Sequence, residues 1–128
     1  MLTIIIVSYN SAQTVLRCQS ELLASARYPV IVVDNASSDG SADVLEKRFP
    51  DIRVMRMPQN LGYGRAANRG LAEVKTPYAF LLNPDLEATV VDVQAMLDFA
   101  DRHADEASLF APAVVGKDYQ QCGAINRE

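Results

Sequence analysis

The chain has 128 residues, 49% of them apolar and 22% charged, with a formal net charge of −4. This balance excludes a disordered or fibrous chain and fits at most one globular domain, large enough for a real core but short for a complete two-substrate enzyme. Lys and Arg form no block, so no nucleic-acid partner is expected.

Leu2 to Val7 is a β-rich apolar run followed by Ser8, Tyr9 and Asn10. Its length is that of a strand, and the opening MLTIIIVSY lacks the basic region and cleavage site of a signal peptide. No run approaches the roughly 18 to 20 apolar residues of a membrane span. The location expected by default is cytoplasmic, including peripheral attachment at the inner face of the membrane. From Ser11 to about Ala26, Val15, Cys18, Leu22 and Ala26, with Leu16 and Leu23 beside them, predict an amphipathic helix. Tyr28-Pro29 breaks it, and Val30 to Val33 forms a second buried strand ending in Asp34-Asn35.

Ser37, Ser38, Asp39 and Gly40 make a polar loop before a helix over about Ser41 to Phe49, which Pro50 stops. Ile52, Val54, Met55 and Met57, interrupted by Arg53 and Arg56, read as a third strand, more exposed and nearer a sheet edge. A loop through Pro58, Asn60 and Gly62 leads to a helix from about Gly64 to Val74. Tyr78 to Leu82 is the fourth strand, and Asn83, Pro84 and Asp85 follow it. Thr89, with Asp92 three residues later, opens a fourth helix with a near capping box, presenting Val93, Met96, Leu97 and Ala100. Ser108 to Val115 is expected as a fifth strand, bent or at an edge because of Pro112.

Strands separated by helices point to right-handed βαβ units and a mostly parallel sheet. The expected class is therefore α/β, a three-layer α/β/α sandwich forming a single domain over residues 1–128. Cys18 and Cys122 have no metal or redox spacing and read as reduced thiols, and the single His103 lies in a polar helix end. The chemistry must come from the strand ends. Ser8-Tyr9-Asn10, Asp34-Asn35 with Ser37 and Asp39, and Asn83-Pro84-Asp85 should share one sheet edge, the edge where nucleotides bind in such folds. Each cluster is also of the type that turns and helix caps need. In NLGYGRAANRG, Gly62 and Gly64 allow close backbone approach, and Arg65 and Asn68 fall in the first turns of a helix, where anions are favoured. The glycine spacing is not that of a dinucleotide fingerprint.

Together VSYN, VVDNASSDGS, NLGYGRAANRG and LLNPD, in this order and spacing, resemble the family 2 glycosyltransferases of GT-A fold, and most of all their rhamnosyltransferase-like branch. The resemblance covers essentially the whole chain. It implies that Tyr9, Asn10, Asp34 and Asn35 line a base and ribose pocket, with Asp34 bonding the pyrimidine ring. Asp39 corresponds to a second acidic residue of that loop, and Gly62, Arg65 and Asn68 to the segment closing over the diphosphate. Asn83 and Asp85 stand at the two ends of the family's DxD motif, which makes Asp85 the expected ligand of a divalent metal, Mn²⁺ or Mg²⁺. The implied partners are a UDP- or dTDP-linked sugar donor and a glycan or lipid-linked acceptor, in cell-envelope polysaccharide biosynthesis.

Asn83 departs from the motif by removing one negative charge. Inverting members also take their general base from a later segment, so that group is expected beyond residue 128, and Glu106, Asp118 and Glu128 read as solvated surface carboxylates. The chain is thus expected to be the amino-terminal, donor-binding part of a longer enzyme. The alternative is a nucleotide-binding module without transferase activity. A signalling receiver domain, similar in size, would need an acidic pair after the first strand, where Ser8-Tyr9-Asn10 stands.

Overall fold

The computed structural model describes residues 1–113. They divide between two compact units, Met1–Val93 and a second one beginning at Gln94. The elements run β1 (Leu2–Ser8), α1 (Ala12–Ala24), β2 (Val30–Asp34), α2 (Ser41–Arg48), β3 (Arg53–Arg56), α3 (Tyr63–Leu71), β4 (Tyr78–Leu81) and α4 (Val90–Arg102).

All strand pairs are parallel, and the order is β3-β2-β1-β4. Ser8 lies opposite Asp34, and Asp34 opposite Arg56, so the carboxyl ends of β1, β2 and β3 form one row. The chain steps outward from β1 to β3 and then returns past β1 to β4. With right-handed crossovers, this reversal puts α1 and α2 on one face and α3 on the other. The switch in direction falls between β1 and β4, and a crevice opens at such a point in α/β sheets.

The face under α3 is packed by Ile5, Ile31, Val33 and Ala66, with Val7, Met55, Met57 and Val74 around them. Gly70 makes that contact close. A Cβ there would lie 2.9 Å from both Ile5 Cγ2 and Val33 Cγ2, so only glycine lets α3 rest directly on the sheet. On the opposite face Ile4, Ile6 and Val32 are fully buried, and each such side chain contributes about 1.5 to 3 kcal/mol. Arg56 reaches from β3 to α2, bonding Asp43 at 2.7 Å and Glu46 at 2.8 Å.

The expected elements form, with instructive differences. The buried stripe of α1 is Ala12, Val15, Gln19, Leu22 and Leu23, so Cys18 is only partly covered. Ala26 lies past the helix with φ 50°, closing its end rather than joining its apolar face. β3 occupies one edge, as its two arginines predict. β4 occupies the other among the described residues, and its apolar run is not covered on both faces: Ala79 and Leu81 are exposed, Leu81 by 41%. Thr89 and Asp92 complete the capping box: the Thr89 N–H donates to Asp92 Oδ2 at 2.8 Å, and the Asp92 N–H donates to Thr89 Oγ1 at 3.1 Å. Within the second unit, His103 Nδ1 lies 3.1 Å from Glu106 Oε2, and the His103 ring lies 4.3 Å from that of Phe99. Residues 108–113 are not a strand, correcting the expectation for Ser108 to Val115. Pro112 has no N–H for a ladder, and Leu109 is 88% exposed. Residues 114–115, and likewise Asp118, Cys122 and Glu128, lie outside the described residues.

Candidate functional site

Four loops follow the carboxyl ends of β1 to β4. They carry four of the five positive-φ residues described: Asn10, Ala36, Gly40 and Gly62. Left-handed backbone at Asn10 and Ala36 costs roughly 1 to 2 kcal/mol per residue, and such conformations persist where surrounding bonds hold them.

Those bonds are visible. Ser37 Oγ donates to Asp34 Oδ1 at 2.6 Å and accepts from the Asn10 N–H at 2.9 Å, while the Ser37 N–H donates to Asp34 Oδ2 at 3.0 Å. Asn10 Oδ1 in turn accepts from the Ser38 N–H at 2.9 Å. A second serine repeats the scheme. Ser41 Oγ donates to Asp39 Oδ1 at 2.6 Å and accepts from the Ala12 N–H at 3.2 Å, joining the amino ends of α1 and α2. The Ser41 hydroxyl holds the Asp39 carboxyl below its ordinary pKa; the Ser41 N–H adds to this and desolvation opposes it. Asp34 is buried, and each of its oxygens keeps a second lone pair beyond its bond to Ser37.

Asn35 is buried and serves the neighbouring loop. Its Nδ2 donates to Asn60 Oδ1 at 3.0 Å, and its Oδ1 accepts from the Leu61 N–H at 2.8 Å. Asn60 Oδ1 also takes the Gly62 N–H at 2.8 Å. Gly62, at φ 78° with open space at its Cβ position, then turns the chain into α3. No side chain caps that helix start. Arg65 stands in its first turn, exposed and with no ion pair among the described residues. A cation at the positive end of a helix is unfavourable alone and favourable beside an anion. Asn68 is exposed one turn on, and Tyr9 and Tyr63 are each about half exposed.

After β4 the Leu82 N–H donates to Ile5 O at 2.9 Å, tying the start of the last loop to β1. Asn83 and Asp85 have exposed side chains, and Asp85 makes no hydrogen bond or ion pair among the described residues. Two main-chain oxygens of this turn are engaged: Gln19 Nε2 donates to Asn83 O at 2.7 Å and to Leu86 O at 3.1 Å. No three metal-ligating side chains cluster among the described residues. The donor set therefore suits a hard cation only in the form in which one carboxylate is supplemented by phosphate oxygens and water.

The structure thus brings Tyr9, Asn10, Asp34, Asn35, Asp39, Gly62, Arg65, Asn83 and Asp85 to one end of the sheet, with Asn68 one turn up α3. The sequence reading did not assign a role to Gln19, Ser41 or Asn60. A polar residue inside the Val15–Leu22 stripe was the available signal for Gln19.

A parallel sheet in this order, with one polar edge built from four βα loops, makes this an open α/β protein, the class that includes the GT-A fold. Residues 3–125 match the family described as glycosyl transferase family 2. The N-acetylglucosaminyl-diphospho-decaprenol L-rhamnosyltransferase of Mycobacterium tuberculosis is 29% identical over 115 residues, which is 80% of this chain and 38% of that protein. A teichoic acid poly(glycerol phosphate) polymerase of Staphylococcus epidermidis is 30% identical over 92 residues, covering 67% of this chain and 13% of the relative. Among solved structures, S. aureus TarS 1–349 superposes with a TM-score of 0.70 at 21% identity, over 80% of this chain and 33% of that one. The same TarS fragment in complex with UDP gives 0.70 at 20% identity, over 80% of this chain and 32% of that one. The chain belongs to glycosyltransferase family 2 and spans 38% of the length of the first of these relatives. No helix among the described residues is long and apolar enough to cross a membrane.

Proposed function

We propose that residues 1–128 are the donor-binding part of a longer inverting glycosyltransferase and bind a pyrimidine nucleoside diphosphate sugar together with Mn²⁺ or Mg²⁺. The observation that carries this reading is the presence, on one loop edge, of two charges of opposite sign that are unengaged among the described residues. Among the described residues, neither the Asp85 carboxylate nor the Arg65 guanidinium, at a helix start that no side chain caps, has a hydrogen-bond or ion-pair partner. A diphosphate with its metal satisfies both.

In this reading Tyr9, Asn10 and Asp34 face the base and ribose, with Asp34 offering its remaining lone pairs to ring N–H groups. Asn35 acts behind them by holding the Asn60–Gly62 loop, so Gly62 and the first N–H groups of α3 meet the diphosphate with Arg65 and Asn68. Asp39 orders the amino ends of α1 and α2 beside the ribose. Asp85 would hold the metal, which when bound neutralises the charge developing on the leaving nucleoside diphosphate. Asn83 keeps the polarity of its position without adding a second negative charge. The sugar goes to a glycan or lipid-linked acceptor, and the general base comes from beyond residue 128. The rhamnosyltransferase relationship supports a deoxysugar donor in cell-envelope polysaccharide synthesis, and the UDP bound in the TarS neighbour accords with a uridine nucleotide.

Calorimetric titration of UDP and dTDP, each with and without Mn²⁺, tests the reading. Binding of at least one nucleotide, strengthened by metal, is expected. A folded protein that binds neither would refute it.

A further inference from the structure

We propose that Gln19 is a positioning residue for the Asn83–Leu86 turn, holding Asp85 in the attitude that receives a nucleotide-bound metal; the inference rests on the donor-binding reading above. Gln19 sits on α1, 1% exposed, in a stripe otherwise made of Ala12, Val15, Leu22 and Leu23. Its Nε2 has two hydrogens and two acceptors, Asn83 O at 2.7 Å and Leu86 O at 3.1 Å. The reverse orientation would set Oε1 against two carbonyl oxygens, so the amide has one workable placement.

The turn has little else to define it. Its internal bond, from the Leu86 N–H to Asn83 O, is 3.2 Å long, and Pro84 has no N–H to give. Gln19 therefore anchors the carbonyls on both sides of Asp85. Both of these carbonyls are thereby engaged within the protein, and the Asp85 carboxylate is the charged oxygen donor between them. Packing alone does not account for this residue. Gln19 Oε1 is buried with no hydrogen-bond partner, a destabilising feature that an apolar side chain of similar size would remove.

The test uses the full chain with Gln19→Met and Gln19→Glu, read by calorimetry with UDP or dTDP, with and without Mn²⁺, and by amide hydrogen exchange. For Gln19→Met the affinity gain conferred by Mn²⁺ should fall roughly tenfold, as expected for losing hydrogen bonds of this kind, while metal-free affinity stays within about twofold. Exchange at Leu86 should accelerate, with β1 and β2 unchanged. In Gln19→Glu a buried carboxyl beside two carbonyl oxygens has a raised pKa and donates only when protonated. Its Mn²⁺ response should approach that of the parent at low pH and fall away from it as pH rises, a profile that space-filling would not produce. This variant carries the test if Gln19→Met does not fold. The proposal is overturned by a parental Mn²⁺ response in Gln19→Met, by equal losses with and without metal, or by unchanged Leu86 exchange. A folded parent chain that binds neither nucleotide would instead overturn the donor-binding reading, whatever Leu86 shows, and binding that Mn²⁺ does not strengthen would overturn the metal role of Asp85 and the role of Gln19 with it.

Discussion

Ser37 Oγ stands 2.6 Å from Asp34 Oδ1 while accepting the Asn10 N–H, so one hydroxyl links the loop after β2 to the loop after β1. The carboxylate assigned to the nucleotide base is thus also the anchor of the pocket that would receive it. Ser37→Ala removes both bonds. We expect a stability loss of about 1 to 2 kcal/mol in urea unfolding. Nucleotide affinity should fall by a similar factor with and without metal, because the damage lies on the base side of the site. A selective loss of the metal-dependent part would contradict this assignment.

Asp85 sits at the other end of the site and should behave in the opposite way. Asp85 is exposed and unbonded among the described residues, so Asp85→Ala should leave the melting temperature unchanged. The Mn²⁺-dependent gain in UDP or dTDP affinity should disappear, and metal-free binding should persist. Calorimetry on parent and variant measures both quantities.

Gly70 and Gly64 lie on the same helix and predict contrasting outcomes. An added methyl at Gly70 meets Ile5 and Val33 at 2.9 Å, so Gly70→Ala should destabilise by about 1 to 3 kcal/mol. At Gly64 a Cβ meets nothing within 4 Å, and Gly64→Ala should stabilise α3 by about 0.5 to 1 kcal/mol through helix propensity. Thermal melts of the two variants provide the comparison, and Gly64→Ala should also weaken nucleotide binding if the backbone approaches a phosphate there.

The depressed pKa of Asp39 carries a sign for acid stability. A carboxyl that ionises more readily folded than unfolded contributes stability above its unfolded pKa and loses it as pH falls through the folded value. Asp39→Asn should therefore be less stable than the parent near pH 7, and the gap should close below about pH 4. Denaturant midpoints followed from pH 7 downward would show it; a gap that stays constant with pH would exclude the ionised form as the stabilising one.

The βα order, the capping box at Thr89 and the placing of the site residues on one edge were legible because each depends on local pattern and on strands running the same way. The exposure of β4 was not, since the covering of an apolar run depends on what lies beside and across it in space. The bonds of Asn35 to Asn60 and Leu61 were not legible either, because contacts across 25 and 26 positions leave no periodic trace. In the stripe of α1, Val15, Leu22 and Leu23 are buried as expected, but Gln19 rather than Cys18 lies between them, because the two are adjacent and hydrophobicity alone favours the cysteine.

The strand order also bears on how the site comes into being. Thr3 and Thr76, whose hydroxyl oxygens lie 2.7 Å apart beside the β1–β4 pairing, are separated by 73 positions, whereas β1 and β2 meet after a single helix. Loop-closure entropy makes such distant contacts slow to form. On a growing chain the β3-β2-β1 half-sheet can assemble while the flank of β1 reserved for β4 is still open. The base-side loops then exist before the Asp85 turn docks onto Gln19 and the free flank of β1, and the crevice between β1 and β4 closes last.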